Sequence, residues 1–159
     1  MLRIKPLREL ESLCYDEKTA GPITVKSGDS HVLKNIAGDT LELSVTIKST
    51  SAKAYGVAVF CDKDGKGFPV TIRPERKVLT MGNIAPPFEL AEGEDLHLRI
   101  FLDKSMVEVF VNDRQAAVYM SPHDKANVGI RLFSTGGDIN VSEVKAWKMK
   151  PIYAEPDQP

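Results

Sequence analysis

The stretch Leu96–Val118, LHLRIFLDKSMVEVFVNDRQAAV, decides the fold. It contains two alternating runs. Leu98, Ile100 and Leu102 point one way in the first, and Val107, Val109 and Val111 in the second. A period of two marks half-buried strands. The break at Asp103-Lys104-Ser105-Met106 is short enough to make the two runs antiparallel neighbours. Pairing Leu102 with Val107 gathers both apolar triplets on one face. His97, Arg99, Phe101, Glu108, Phe110 and Asn112 then share the other face. Charge mixed with aromatics on a sheet face suits either a solvated surface or a ligand platform.

The same period extends outward from this hairpin. Leu41, Leu43, Val45 and Ile47 alternate with Glu42, Ser44, Thr46 and Lys48. Tyr55–Cys61 reads as a strand with Val57 and Val59 on one face. Phe68–Ile72 and Lys77–Thr80 form an expected hairpin around Pro74-Glu75-Arg76. Asn83–Pro87 contains prolines that exclude it from a central strand. Val128–Phe133 and Ile139–Met149 are the last two strands, joined through Thr135-Gly136-Gly137-Asp138. Ile23–Val25 leads into a turn at Ser27-Gly28-Asp29-Ser30. Helical spacing is almost absent. Many short strands at close spacing predict an all-β fold of two packed antiparallel sheets, a jelly-roll or lectin-like β-sandwich.

The chain has 159 residues, the size of one domain. The expected organisation is a linker and opening strand over 1–14, one sandwich over 15–153, and a disordered tail over 154–159, where prolines concentrate. Basic and acidic residues nearly balance, 21 against 22, and no basic stripe carries interleaved aromatics. Nucleic acid is therefore not an expected partner. No apolar run approaches the roughly 18 residues of a membrane-spanning helix. The start, MLRIKPLRELESL, lacks the apolar core of a signal peptide, which favours the cytoplasm.

Candidate chemical motifs reduce mostly to structure. Asp62-Lys63-Asp64-Gly65-Lys66-Gly67 begins like a calcium loop but lacks the downstream bidentate glutamate, so it reads as a turn. His31, His97 and His123 are too far apart in sequence to suggest a metal site, and no cofactor is expected. Cys14 and Cys61 read as two separate buried thiols. Asn140-Val141-Ser142 is a formal glycosylation triplet at a strand start. Asp103 and Glu108 flank one turn, but a shallow hairpin encloses no water-poor pocket to raise a carboxyl pKa. No catalytic residue is expected. Glu108 is expected to form a cross-strand ion pair with Arg99.

The segment LRIFLDKSMVEVFVND resembles the signature hairpin of the C-terminal β-sandwich in family 32 glycoside hydrolases, the invertases, levanases and other β-fructosidases. That family's pattern is an Asp-Arg-Ser turn, then Val-Glu-Val-Phe, then Asn-Asp or Asn-Gly. The counterparts are Asp103-Lys104-Ser105, Val107-Glu108-Val109-Phe110 and Asn112-Asp113. Pro6–Leu13 looks like the segment leaving that family's catalytic domain, and Gly136-Gly137 with the strand ending near Trp147 looks like its final strand. Lys104 replaces the usual arginine, which weakens any planar contact there. The second Asp-Arg-Ser-like turn, expected near Leu79–Asn83, is missing. So is the arginine-containing stretch expected near Val118–Pro122.

The resemblance implies that catalysis lies elsewhere. The family's three carboxylates sit on a five-bladed propeller, in Asn-Asp-Pro-Asn, Arg-Asp-Pro and Glu-Cys stretches, and none of these occurs in this sequence. The implied role is a non-catalytic accessory domain packing on a catalytic propeller or a second subunit. The alternative is a module binding fructose-containing sugars. Its candidate ligand residues are Arg99, Glu108 and Phe110, with Arg131 on the same side if Ile130 and Leu132 point inward.

Overall fold

A computed structural model describes residues 14–150 of the chain. Its elements in order are β1 (Cys14–Ala20), β2 (Ile23–Val25), β3 (Ser30–Val32), β4 (Thr40–Ile47), β5 (Ala54–Cys61) and β6 (Phe68–Arg73). They continue with β7 (Val78–Met81), β8 (Leu96–Asp103), β9 (Met106–Val111), β10 (Gln115–Met120), β11 (Gly129–Thr135) and β12 (Ile139–Met149). One sheet runs β1-β12-β4-β8-β9-β10, with β2 also on β12. The other runs β3-β11-β5-β6-β7. Every pairing is antiparallel. The expected all-β sandwich of two antiparallel sheets is what forms.

The hairpin register is the one the alternation predicts. Leu98 lies opposite Val111, Ile100 opposite Val109, and Leu102 opposite Val107. These six side chains are at most 1% exposed. With Leu43, Val45 and Ile47 of β4 they form one wall of the core. Val57, Val59, Val70, Ile72, Leu79, Ile130 and Leu132 supply the facing wall. Each large aliphatic removed from water here contributes roughly 1.5–3 kcal/mol, and the β-branched side chains suit the pleat.

Turns follow local chemistry. Lys104 occupies the β8–β9 turn at φ +59°. Its N–H donates to the Asp39 carbonyl at 2.7 Å. Between β9 and β10, Asn112 (φ +49°) and Asp113 (φ +54°) take the left-handed conformation, which their short polar side chains tolerate. The Asp62–Gly67 segment is a turn, as expected. Asp62 Oδ1 accepts from the Asp64 and Lys66 N–H groups at 2.8 and 3.0 Å. Residues 82–95 carry the chain from β7 in one sheet to β8 in the other. Gly82 is needed there because the Tyr119 ring packs on it, and a Cβ would lie 2.2 Å from that ring.

Several local expectations need correction. Ser30 belongs to β3 rather than to a turn, because the Ser30–Val32 backbone pairs with β11. Cys14 is half-buried rather than buried, since β1 is an edge strand. Cys61 is buried as expected, in the other sheet, and the two form no disulfide. The expectations for residues 1–13 and 151–159 lie outside the described residues.

Candidate functional site

The mixed face of the β8–β9 hairpin is the outer face of the seven-stranded sheet. Arg99 lies opposite Phe110, and Phe101 opposite Glu108. On the neighbouring β4, Ser44 lies opposite Arg99 and Glu42 opposite Phe101. The structure therefore brings Arg99, Glu108 and Phe110 to one face, as the alternation requires.

The partner of Arg99 is not the expected one. Its Nε donates to Glu42 Oε1 at 3.1 Å, and its Nη2 donates to the same oxygen. Glu42 Oε2 accepts from the Cys14 thiol at 2.9 Å. The Arg99–Glu108 ion pair is thus replaced by an Arg99–Glu42–Cys14 chain. The physical reason is burial. Glu42 is only 2% exposed and needs a cation, whereas Glu108 is half-buried and open to water.

Aromatic contacts complete this face. Phe101 and Phe110 meet edge to face, with ring centroids 5.8 Å apart at 84°. The Arg99 guanidinium stands 5.8 Å from the Phe101 ring centre. Phe110 is 7% exposed, so its ring offers no open surface for stacking. Arg131 is absent from this group. Ile130 and Leu132 do point inward, at 0% exposure, but β11 belongs to the five-stranded sheet. Arg131 accordingly sits on the opposite outside of the sandwich. Its Nε donates to the Gly65 carbonyl at 2.5 Å, and its guanidinium stands 5.5 Å from the Phe133 ring centre. Asp103 closes β8 opposite Met106, and the Ser105 carbonyl accepts from the Ser121 N–H at 2.7 Å.

Beside Arg99 and Phe110 lies an open concavity lined also by Glu94, Asp95, His97, Asn112 and Asp113. Its polar groups are extensively paired. Arg114 grips Glu94 with two bonds, at 2.6 and 2.7 Å. The guanidinium beside Glu94 is the main reason its carboxyl is held near 2, well below the usual 4.5. Lys48 and the Ser49 N–H bind Asp95 at 2.8 and 2.9 Å and lower its pKa. Asn112 accepts from the His97 N–H at 2.6 Å and donates to the Asp95 carbonyl at 2.9 Å. Cations thus stabilise these carboxylates as anions, the opposite of what a general acid needs. Among the described residues, no group of three or more His, Cys, Asp or Glu side chains is arranged to hold a metal ion.

Sequence reading missed Glu42, Cys14, Glu94 and Arg114. Glu42 sits where alternation alone predicts a solvated position. The Asn112-Asp113 pair was the available signal for the tight turn that carries Arg114 back towards Glu94.

Two antiparallel sheets with a paired Arg99–Glu42 and packed aromatics on one outer face define an all-β sandwich domain. The sequence profile described as glycosyl hydrolases family 32 C terminal matches residues 9–148, and the chain belongs to that family. It is 26% identical over 158 residues to sucrose-6-phosphate hydrolase of Escherichia coli, covering 91% of this chain and 31% of that protein. It is 25% identical over 170 residues to levanase of Bacillus subtilis (strain 168), covering 93% and 24%. The chain thus spans less than a third of these relatives. Its fold is similar to that of fructan 1-exohydrolase IIa from Cichorium intybus, with TM-score 0.76, 14% identity, and 92% of this chain and 37% of that one covered. It is equally similar to Aspergillus kawachii β-fructofuranosidase, with TM-score 0.76, 19% identity, and coverage of 95% and 30%.

Proposed function

We propose that this chain is the non-catalytic accessory sandwich of a glycoside hydrolase acting on fructosides, supporting a catalytic propeller. The observation that carries this reading is the pattern of coverage. The family profile takes up residues 9–148, while the chain accounts for only 31% of sucrose-6-phosphate hydrolase and 24% of levanase. Most of each relative therefore has no counterpart in this sequence. The stretches that the resemblance assigns to propeller carboxylates are also missing from it.

The hairpin face supports the accessory role over the sugar-binding one. A sugar platform needs an aromatic ring open on one side and polar groups free to exchange water for hydroxyls. Phe110 is 7% exposed, and Arg99 is engaged by Glu42.

The test is a pair of measurements. Thermal melting of the chain alone, and with a family 32 propeller supplied in trans, is expected to show a higher Tm in the mixture. Calorimetric titration with sucrose, inulin and levan is expected to show no heat at millimolar sugar. An unchanged Tm together with saturable sugar binding would replace this reading with the sugar-binding one.

A further inference from the structure

An open sheet edge can recruit another strand, and folded proteins guard such edges with charge, bulges, brevity or a covering loop. The two sheets end in β1 and β10, and in β3 and β7. Three of these strands carry a guard. β1 holds Asp16, Glu17 and Lys18, and its register against β12 shifts between Tyr15 and Lys18. β3 has only three residues. β7 is covered by the segment that follows it. Leu79 and Met81 donate their N–H groups to the Pro86 and Ile84 carbonyls, and Val78 bridges Pro87. β10 has none of these devices. Its sequence QAAVYM carries no charge and no proline, and its register against β9 runs without a shift.

The open part of this edge is Val118–Met120. The Ser121 N–H donates to the Ser105 carbonyl on the β9 side. Backbone groups alternate along a strand, so those of Val118 and Met120 face away from β9. Ala116, at the same phase, has its N–H taken by Gln115 Oε1 at 3.0 Å. Among the described residues, none pairs with the backbone of Val118 or Met120 on that outer side. Their side chains are 53% and 60% exposed, and Met106 lies opposite Met120 on β9. An unpaired backbone row thus borders an exposed apolar strip.

We infer that β10 pairs with β10 of a second copy of this chain, antiparallel about a two-fold axis, joining two sandwiches through one continuous sheet. A strand without charge meets itself without like-charge repulsion. The residues flanking it favour one register. Asp113 and Arg114 precede the strand, while Asp124 and Lys125 follow it. Setting Val118 opposite the partner's Met120 puts Asp113 opposite Lys125 and Arg114 opposite Asp124, counted along the chain. Each acid then faces a base, twice over by symmetry. The same register sets the two exposed apolar side chains against each other and matches the free N–H and C=O groups of Val118 with those of Met120.

Sedimentation equilibrium of the full chain over a dilution series tests this. A species of twice 17.5 kDa is expected. Val118→Lys changes an exposed side chain and should leave the circular dichroism spectrum and Tm unaltered while raising the dimer Kd at least tenfold. Val32→Lys, on the β3 edge, should leave the Kd unchanged. Lys125→Glu should weaken the dimer, and less so in an Asp113→Asn background. A monomer at every concentration would overturn the proposal, as would a dimer sensitive to Val32→Lys but not to Val118→Lys. Equal effects of Lys125→Glu in both backgrounds count against the register. A monomeric chain that binds a family 32 propeller in trans, and loses that binding on Val118→Lys, would overturn the dimer and give the edge to the propeller.

Discussion

Arg99 on β8 reaches diagonally to Glu42 on β4 and holds a carboxylate that is only 2% exposed. Removing the cation leaves that charge buried and uncompensated. Breaking a buried pair in this way costs about 3–5 kcal/mol, and the partial exposure of Arg99 puts Arg99→Ala near the lower end, about 3 kcal/mol. Glu42→Gln keeps the shape and an acceptor oxygen, and is expected to cost about 1 kcal/mol. Urea unfolding of both variants checks the ordering. Equal costs would mean that water reaches Glu42 and that the pair is worth no more than a surface one.

Glu94 gives the domain an acid-sensitive contact. Arg114 holds its carboxyl near 2 against an ordinary 4.5. A carboxyl whose pKa is depressed by folding contributes stability that is fully present above the unfolded value. That contribution is lost as pH falls from about 4.5 towards 2. Asp95, lowered by Lys48, acts in the same direction. Urea midpoints measured at pH 7, 4.5 and 3 should fall less steeply below 4.5 for Glu94→Gln than for the unaltered chain. Parallel losses in the two proteins would rule out this role for Glu94.

The β8–β9 register was legible because six apolar residues alternate without interruption, and one register alone buries them all. β10 was not, because Gln115-Ala-Ala-Val-Tyr-Met has small residues where contrast is needed, and it is an edge strand with one solvated side. β1, with CYDEKTA, hides for the same reason. Arg131 shows a different limit. Alternation correctly turned Ile130 and Leu132 inward, yet in a sandwich each sheet has its own outside, and period alone does not say which one a residue faces. The Arg99–Glu42 pair lies beyond local reading altogether, since its members are 57 positions apart and meet only through the β4–β8 pairing.

Gly82 and Tyr119 are predicted to be coupled. A methyl at Gly82 would fall 2.2 Å from the Tyr119 ring, and the backbone there has φ +57°. Gly82→Ala should therefore cost about 1–3 kcal/mol, part from displaced packing and part from the left-handed conformation. Tyr119→Ala removes the clash but leaves the backbone cost. A double-mutant cycle should therefore recover the packing part alone. Strict additivity of the two substitutions would show that the ring is free to swing away.

Lys104 stands where a two-residue hairpin turn requires a positive φ, at +59°. Primed turns take glycine or asparagine readily at such a position, whereas a lysine there carries the steric cost of its Cβ. Lys104→Gly removes that cost but makes the unfolded chain more flexible, and the two effects partly cancel. A net stabilisation of about 0.5–1 kcal/mol is expected, because the left-handed penalty exceeds the entropy of one glycine. The N–H bond to the Asp39 carbonyl uses the backbone and survives the change. Lys104→Ala serves as the control, since it keeps a Cβ and should leave stability within about 0.5 kcal/mol. Chemical denaturation of the three proteins measures the differences. If alanine stabilised as much as glycine, the lysine side chain rather than the backbone angle would be the source of the cost.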